Sequence, residues 1–175
     1  MSYSKNYKLR AIAYLLAIKD LDPSKIVYID EVGFLQNIYR EYAYSLIGQP
    51  VIDYITGKRE KRVGLVAAKM GKEILEPYQY SGTMNSQFFE AWFSVLLPKL
   101  PANSTIVMDN AAFHRKSVLP AMAEAKGHRI IFLPPYSPEL NPIEHTWFQM
   151  KSIMKQVIHT IKCFDDRLRY CFTVL

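Results

Sequence analysis

The sequence predicts an α/β domain in which helices cover both faces of a mixed β-sheet. Three observations support this fold class. Short β-branched strands alternate with helical patterns from residue 105 onward, a hairpin pattern covers residues 62–80, and the 175 residues, half of them apolar, suit one domain with a substantial core. The hairpin requires antiparallel pairing and the strand–helix alternation requires parallel pairing, so the sheet is predicted to be mixed.

The first half of the chain is predicted to contain one helix, one strand and the hairpin. Apolar residues recur at helical spacing over residues 6–18, and a turn at Asp22-Pro23 closes that helix. Residues 25–30 form a β-branched run that predicts a buried strand ending on Asp30. Residues 31–60 are interpreted as a strand-and-loop excursion, followed by hairpin strands at 62–69 and 73–80.

The second half predicts the alternating elements. A helix over 85–97, capped by Asn85 or Ser86, precedes a strand over 105–109 that ends on Asp109. The remaining predictions are a helix over 117–125 stopped by Gly127, a strand over 129–133, a rigid proline loop over 134–142, a helix from Pro142 to about Lys155, and helical sequence from Phe164 onward.

Composition narrows the class of protein. The 22 Lys and Arg residues exceed the 16 Asp and Glu residues, giving a net charge of +6 with basic clusters at 58–62 and 114–116. This charge suits a nucleic-acid partner and equally an ordinary basic surface. The apolar run 11–18 is too short for a signal peptide or a membrane span, and two cysteines suit a reducing compartment. We therefore expect a cytoplasmic protein with no membrane partner.

Three acidic residues stand where they could form one site. Asp30 and Asp109 end predicted strands, and Glu144 begins a predicted helix. Open α/β sheets bind ligands beyond the carboxyl ends of their strands. Converging carboxylates repel each other unless they bind a hard cation such as Mg²⁺ or Mn²⁺. Taken alone the pattern is weak, because an acid at a strand end is more often a solvated turn residue or a helix cap.

Three sequence blocks carry a resemblance to a known family. Residues 28–34 (YIDEVGF), 107–114 (VMDNAAFH) and 132–144 (FLPPYSPELNPIE) closely resemble the catalytic blocks of the DDE transposases of the mariner-like superfamily, especially its bacterial insertion-sequence branch. With Trp147 and Lys151 they cover about residues 25–155. The 34 residues between Asp109 and Glu144 also resemble the family's spacing, and the proline-rich third block is the most specific of the three.

The resemblance implies a fold, a reaction and partners. The fold is RNase H-like, with a five-stranded mixed sheet and helices on both faces. Asp30, Asp109 and Glu144 are the implied catalytic residues and hold two Mg²⁺ ions, for which Mn²⁺ substitutes, with Asp30 bridging them. The implied reaction is hydrolysis at the ends of an insertion sequence, followed by attack of the freed 3′ hydroxyl on target DNA. The implied partners are transposon-end and target DNA, a homodimer is compatible with the sequence, and the location is the nucleoid of a bacterium or archaeon.

Neighbouring residues have two interpretations each. Glu31 either contacts and orients the residues that bind the metal, without binding it itself, or is simply solvated. Asn110 and His114 either position a phosphate or water, or make cap and turn contacts for the next helix. Four basic residues either contact the DNA backbone or face water: Arg115, Lys116, Lys151 and Lys155. Trp147 is predicted to anchor the helix of Glu144 against the sheet.

The resemblance also bears on domain organisation. Relatives carry N-terminal helix-turn-helix modules, whereas one helix precedes the first catalytic strand here. The sequence therefore predicts an N-terminal helix and linker over 1–24 and a catalytic domain over 25–175, with the DNA-reading modules absent. Two alternatives to a transposase stay open: a stand-alone RNase H-like nuclease, and a non-catalytic remnant that binds DNA or dimerises.

Overall fold

The computed structural model describes residues 2–36, 44–50, 52 and 61–175. These described residues contain five strands and five α-helices, in the order α1, β1, β2, β3, α2, β4, α3, β5, α4, α5. The strands are β1 (Ile26–Leu35), β2 (Arg62–Met70), β3 (Glu73–Ser81), β4 (Thr105–Met108) and β5 (Arg129–Phe132). The helices are α1 (Ser2–Lys19), α2 (Ser86–Leu96), α3 (Leu119–Glu124), α4 (Ile143–Val157) and α5 (Phe164–Val174).

The five strands form one mixed sheet in the order β3-β2-β1-β4-β5. β1 pairs antiparallel with β2, and β2 with β3, whereas β1–β4 and β4–β5 are parallel. The tight turn between β2 and β3 has Gly71 at φ 58°, a backbone conformation that glycine adopts without steric cost. The predicted five-stranded mixed sheet and its hairpin are confirmed.

Helices cover both faces of the sheet, as predicted. The side chains of β1 alternate between the faces: Val27 and Ile29 pack with α2 and α3 in one apolar cluster. Val32 and Phe34 pack on the opposite face with α4 and α5, around the fully buried Trp147. On that same face Tyr14 of α1 packs against β1 and β4.

One strand boundary differs from the prediction in a way that matters for the site. β1 does not end on Asp30; it continues to Leu35, because β2 offers partners as far as Arg62. Its parallel pairing with β4, however, extends only from Ile26 to Tyr28. Asp30 thus lies just beyond the edge where β4 ends, in the middle of a strand held by β2 alone.

The other predicted elements are confirmed with small changes. The Asn85 side chain caps α2 by accepting a hydrogen bond from the N–H of Phe88 (2.9 Å). α3 starts only at Leu119, next to Pro120, and the chain leaves it through Gly127 at φ 76°. Most of the predicted excursion 31–60 and most of the basic cluster 58–62 lie outside the described residues. Within the described ranges, no helix combines the length and apolar character that crossing a bilayer requires.

Candidate active site

Asp30 is a largely buried carboxylate held by the helix that carries Glu144. It faces α4, where the indole Nε1 of Trp147 donates a hydrogen bond to its Oδ2 (3.0 Å). Burial, followed by the charges of Glu31 and Glu144, raises the pKa of the Asp30 carboxyl to about 8. A raised pKa of this origin means that the negative charge of Asp30 is destabilised unless a cation is near.

A buried histidine, His114, lies between the carboxyl groups of Asp109 and Glu31. The Nδ1 of His114 lies 3.0 Å from Oδ1 of Asp109, and its Nε2 lies 3.3 Å from Oε1 of Glu31. Burial would lower the pKa of His114, but the two carboxylates outweigh it and raise that pKa to about 9. Burial raises the pKa of Glu31, and the hydrogen bond with His114, which lowers that pKa, only partly offsets the effect of burial. A pKa of about 9 favours the imidazolium form of His114, whose ring lies between the two carboxyl groups and packs against the ring of Phe89.

Asp109 follows β4 directly, and its contacts with His114 and Ala111 fall on one carboxylate oxygen. Burial acts to raise its pKa, yet hydrogen bonds from His114 and from the N–H of Ala111 (2.9 Å) lower it overall. Both contacts use Oδ1, and about half of the side chain is exposed. The second oxygen is thus the one presented for ligand binding.

The proline loop brings Glu144 to the same edge of the sheet. The loop ends where the N–H of Glu144 donates to the carbonyl of Asn141 (3.0 Å), which starts α4. The Asn141 amide reaches β1, with Nδ2 3.4 Å from the carbonyl of Ile29. Glu144 is exposed in the first turn of α4, where the helix dipole favours a carboxylate.

Asp30, Asp109 and Glu144 line one open cleft with a volume of about 440 Å³. Its other walls are the proline loop and the start of the segment after β4: Asn110, Ala111, Leu133, Pro134, Pro135, Tyr136, Ser137, Pro138 and Asn141. Across the described part of the chain, no three His, Cys, Asp or Glu side chains stand close enough to hold a metal ion as they are oriented. In this arrangement of side chains the three carboxylates do not form a ready metal cluster, and Glu144 is the most exposed of the three.

The chemistry of the cleft fits a divalent cation. Its three acids offer the carboxylate oxygens that Mg²⁺ and Mn²⁺ prefer, and the charge of Glu144 already acts on Asp30. Two buried amide oxygens in the cleft wall, Oδ1 of Asn110 and Oδ1 of Asn141, have no hydrogen-bond partner among the described residues. A hydrated Mg²⁺ keeps several waters, which could donate to such oxygens.

The four basic residues predicted to contact DNA have different surroundings. Arg115 forms an ion pair with Glu90 of α2, so its guanidinium is already engaged. Lys116 is exposed, with its Nζ 5.2 Å from the centre of the Phe132 ring. Lys151 and Lys155 are exposed on α4, on the side of the helix that carries Glu144. Their contacts with DNA stay predictions.

Three features of the site are not evident from single residues in the sequence. Trp147 was predicted as an anchor, and its burial confirms this, but its hydrogen bond to Asp30 was not predicted. Asn141 links the loop to β1, and Tyr136 presents an almost fully exposed ring. All three belong to or follow the third sequence block, whose strict pattern was the available signal.

Replacing Asp30 tests the electrostatics of the cleft. Because the folded carboxyl binds its proton more tightly than the unfolded one, the contribution of Asp30 to the stability of the metal-free chain falls as pH rises from about 4 to about 8. We expect Asp30→Asn, which can still accept from Trp147, to raise the free energy of unfolding at pH 8 by about 1–3 kcal/mol. Urea unfolding in EDTA at pH 8 and pH 5 measures this, with a smaller gain at pH 5. A loss of stability at pH 8, or an equal gain in the exposed control Asp20→Asn, would contradict it.

A family comparison identifies the chain. The model of the family described as DDE superfamily endonuclease matches residues 25–166, which is most of the sequence. The chain belongs to the DDE superfamily endonucleases. The resemblance noted in the sequence is thereby confirmed at the level of the family, and so is the prediction of an enzyme class; the bacterial insertion-sequence branch stays a prediction.

Individual relatives agree with this membership. An uncharacterized protein, y4pE/y4sA of Sinorhizobium fredii (strain NBRC 101917 / NGR234), is 31% identical over 111 residues, covering 62% of this chain and 76% of the relative. The structure of the Mos1 transposase paired-end complex with left transposon end is 19% identical with a TM-score of 0.72, covering 97% of this chain and 54% of that one. The crystal structure of the catalytic domain of Mos1 mariner transposase is 15% identical, with a TM-score of 0.63. The match covers 97% of this chain and 80% of that domain.

These structural matches establish the fold of the DDE endonuclease chain. At this identity they show that the five-stranded sheet and its helices have the RNase H-like arrangement of a transposase catalytic domain, as predicted. The chain spans about half the length of the Mos1 chain in the paired-end complex. It corresponds more closely in extent to the separate catalytic domain.

Proposed function

We propose that this chain is the catalytic domain of a DNA transposase that cleaves DNA at the ends of an insertion sequence and joins the freed 3′ hydroxyl to target DNA. One observation carries the proposal. The three acids of the matched sequence blocks, Asp30, Asp109 and Glu144, come from β1, the end of β4 and the start of α4, yet line a single open cleft.

Each acid has a distinct role in the proposal. Asp30 is the central ligand, because it is the most buried of the three and its charge is destabilised without a cation. Asp109 binds through the oxygen that His114 and Ala111 leave free, and Glu144 completes the set by rotating from the first helical turn. A pair of Mg²⁺ or Mn²⁺ ions, when bound, supplies activation of the attacking hydroxyl and stabilisation of the leaving oxygen. Crystal structures of the Mos1 mariner paired-end complex with Mn and with Mg support this metal choice.

His114 and Trp147 act as positioning residues in this scheme. The His114 side chain is fully buried and holds Asp109 and Glu31 at fixed separations. Trp147 restrains Asp30 by donating to one of its oxygens. Because both contacts come from side chains without room to move, two of the three acids are oriented before metal or DNA arrives.

The alternatives of a stand-alone nuclease and a non-catalytic remnant predict different products. Incubating the purified chain with Mn²⁺ or Mg²⁺ and DNA carrying insertion-sequence ends, then sequencing the products, distinguishes them. We expect metal-dependent cuts at the ends and joined strands. Cuts without joining would favour the nuclease, and binding without cuts would favour the remnant. Fusing a DNA-binding module of known specificity to the N-terminus provides targeting if the chain alone finds its ends poorly.

Tyr136 is expected to hold a nucleobase beside the reacting phosphate. It has φ 56°, a strained conformation for a residue with a Cβ, and its ring is 90% exposed at the rim of the cleft. An aromatic ring stacks on any base with a gain of about 1–3 kcal/mol. We expect Tyr136→Ala to weaken single-stranded DNA binding roughly tenfold, as measured by fluorescence anisotropy.

Two variants make the Tyr136 result specific. Tyr136→Phe keeps the ring and should bind like the wild type, whereas Tyr170→Ala removes an exposed tyrosine of α5 outside the cleft and should leave affinity unchanged. Equal losses in Tyr136→Phe and Tyr136→Ala would mean that the hydroxyl, rather than the ring face, contacts the DNA.

A further inference from the structure

A second cleft adjoins the one that contains the three acids. It also has a volume of about 440 Å³ and lies between α1 and the end of β5. The two clefts share four lining residues, Asn110, Leu133, Pro134 and Pro135, so they are adjacent. A chain molecule that occupies the first cleft can therefore continue into the second.

The chemistry of this second cleft differs from that of the first. Two cations, Arg10 of α1 and Lys116 after β4, are among its lining residues. Its remaining lining is mainly apolar: Ala13, Tyr14, Ile131, Phe132, Leu133, Pro134 and Pro135. No carboxylate is among the lining residues, and no ion pair joins either cation to another described residue. Cationic side chains around an apolar floor match a nucleotide, whose phosphate is anionic and whose base has a flat face that packs on apolar and aromatic side chains.

The walls of the second cleft are built firmly. Tyr14 is buried and packs against Ile26 and Val107, which fixes α1 on the sheet. The Tyr14 hydroxyl lies 3.4 Å from the carbonyl of Leu140, and the Tyr7 hydroxyl donates to the carboxylate of Glu139, so α1 also contacts the proline loop. Lys116 is placed over the Phe132 ring. The helix that carries Arg10 is thus held opposite Lys116.

We infer that this second cleft, with Arg10 and Lys116 as its cations, binds a backbone phosphate and the attached nucleotide of the DNA strand whose reacting phosphate lies at Asp30, Asp109 and Glu144. The inference rests on the proposed function, since it takes DNA as the substrate. It goes further by assigning α1 a direct role in strand binding and by adding Arg10 as a contact. It also assigns different roles to two neighbouring residues: Lys116 binds the phosphate, whereas Arg115 forms an ion pair with Glu90.

The test measures affinity for a single-stranded oligonucleotide in Ca²⁺, a cation of the same charge expected to slow cleavage, as a function of salt. We expect Arg10→Gln and Lys116→Gln each to weaken binding on the order of fivefold and to lower the slope of log K against log salt by about 0.7. Arg10→Lys and Lys116→Arg keep the charge and should keep most of the affinity. Lys72→Gln, in the β2–β3 turn at the opposite edge of the sheet, is the matched control and should change neither quantity.

A second measurement locates the phosphate. Oligonucleotides carrying one uncharged methylphosphonate at successive positions are bound to the wild type and to the double variant Arg10→Gln/Lys116→Gln. We expect one position near the cleavage point where the methylphosphonate weakens wild-type binding but not binding by the double variant. Equal losses at every position in both proteins, or wild-type affinity and slope in the Gln variants, would overturn the inference. Failure of the proposed function would instead appear as no metal-dependent cleavage by the wild type.

Discussion

Asp109→Asn, Asp30→Asn and Glu144→Gln are each expected to reduce Mg²⁺-dependent DNA cleavage on the order of a thousandfold or more. Each substitution removes a charged oxygen ligand and leaves the side-chain volume nearly unchanged, so the fold should persist. Glu144 is exposed and half of the Asp109 side chain is exposed, which limits the effect of these two changes on packing. Initial cleavage rates in Mg²⁺ and in Mn²⁺ measure the effect, and circular dichroism checks the fold.

Control variants distinguish the effect of losing a metal ligand from the effect of losing one negative charge anywhere on the protein. Asp20→Asn and Glu124→Gln make the same chemical changes at exposed positions outside the cleft, and they should cleave like the wild type. Manganese titration adds a readout independent of cleavage, since each of the three cleft variants should bind Mn²⁺ more weakly. Wild-type cleavage by any one of them would remove that residue from the proposed site.

Trp147 is expected to give the largest stability effect in the chain. Its side chain is 1% exposed and lies in the cluster between β1, β2 and α4, so Trp147→Ala should destabilise the fold by about 3–5 kcal/mol. Trp147→Phe keeps most of the packing but removes the indole donor to Asp30. We expect it to cost about 1–2 kcal/mol in urea unfolding and to slow cleavage roughly tenfold to hundredfold.

Trp92 provides the control for this experiment. It is also buried, and its Nε1 donates to the carbonyl of Glu76 (2.8 Å), on the face of the sheet covered by α2. Trp92→Phe should therefore lose a similar amount of stability while cleavage by the folded protein stays at the wild-type rate. If both variants slowed cleavage equally, the effect of Trp147 would be one of general stability, and its role in orienting Asp30 would be wrong.

Several elements could be predicted because local signals and packing agree. The β2–β3 hairpin has a glycine turn between two strand patterns, and α2 has Asn85 as a capping residue before an apolar helical face. The strand and helix order then leaves few topologies, and the observed sheet is the expected mixed one. In these segments each residue's local preference points to the same structure as its burial.

The end of β1 shows where local reasoning fails. The β-branched run of residues 25–30 predicts a strand that ends on Asp30. The strand continues because β2 supplies hydrogen-bond partners to Leu35 and because Val32 and Phe34 are buried against α4 and α5. The sequence allows Glu31 either a supporting role or a solvated position. In the structure it lies on the opposite face of β1 from Asp30, where it contacts His114.

By itself the sequence determined the class of fold and the family, because these depend on periodic patterns and on short motifs whose residue types and order can be read directly. The same motifs predict the three acids of the site. Only the tertiary structure decided which side chains surround those acids. The Asp30–Trp147 and Glu31–His114 contacts join residues 117 and 83 positions apart, and the cleft with Arg10 and Lys116 joins α1 to the segment after β4. Such contacts arise from packing of whole helices on a sheet, which no local pattern encodes.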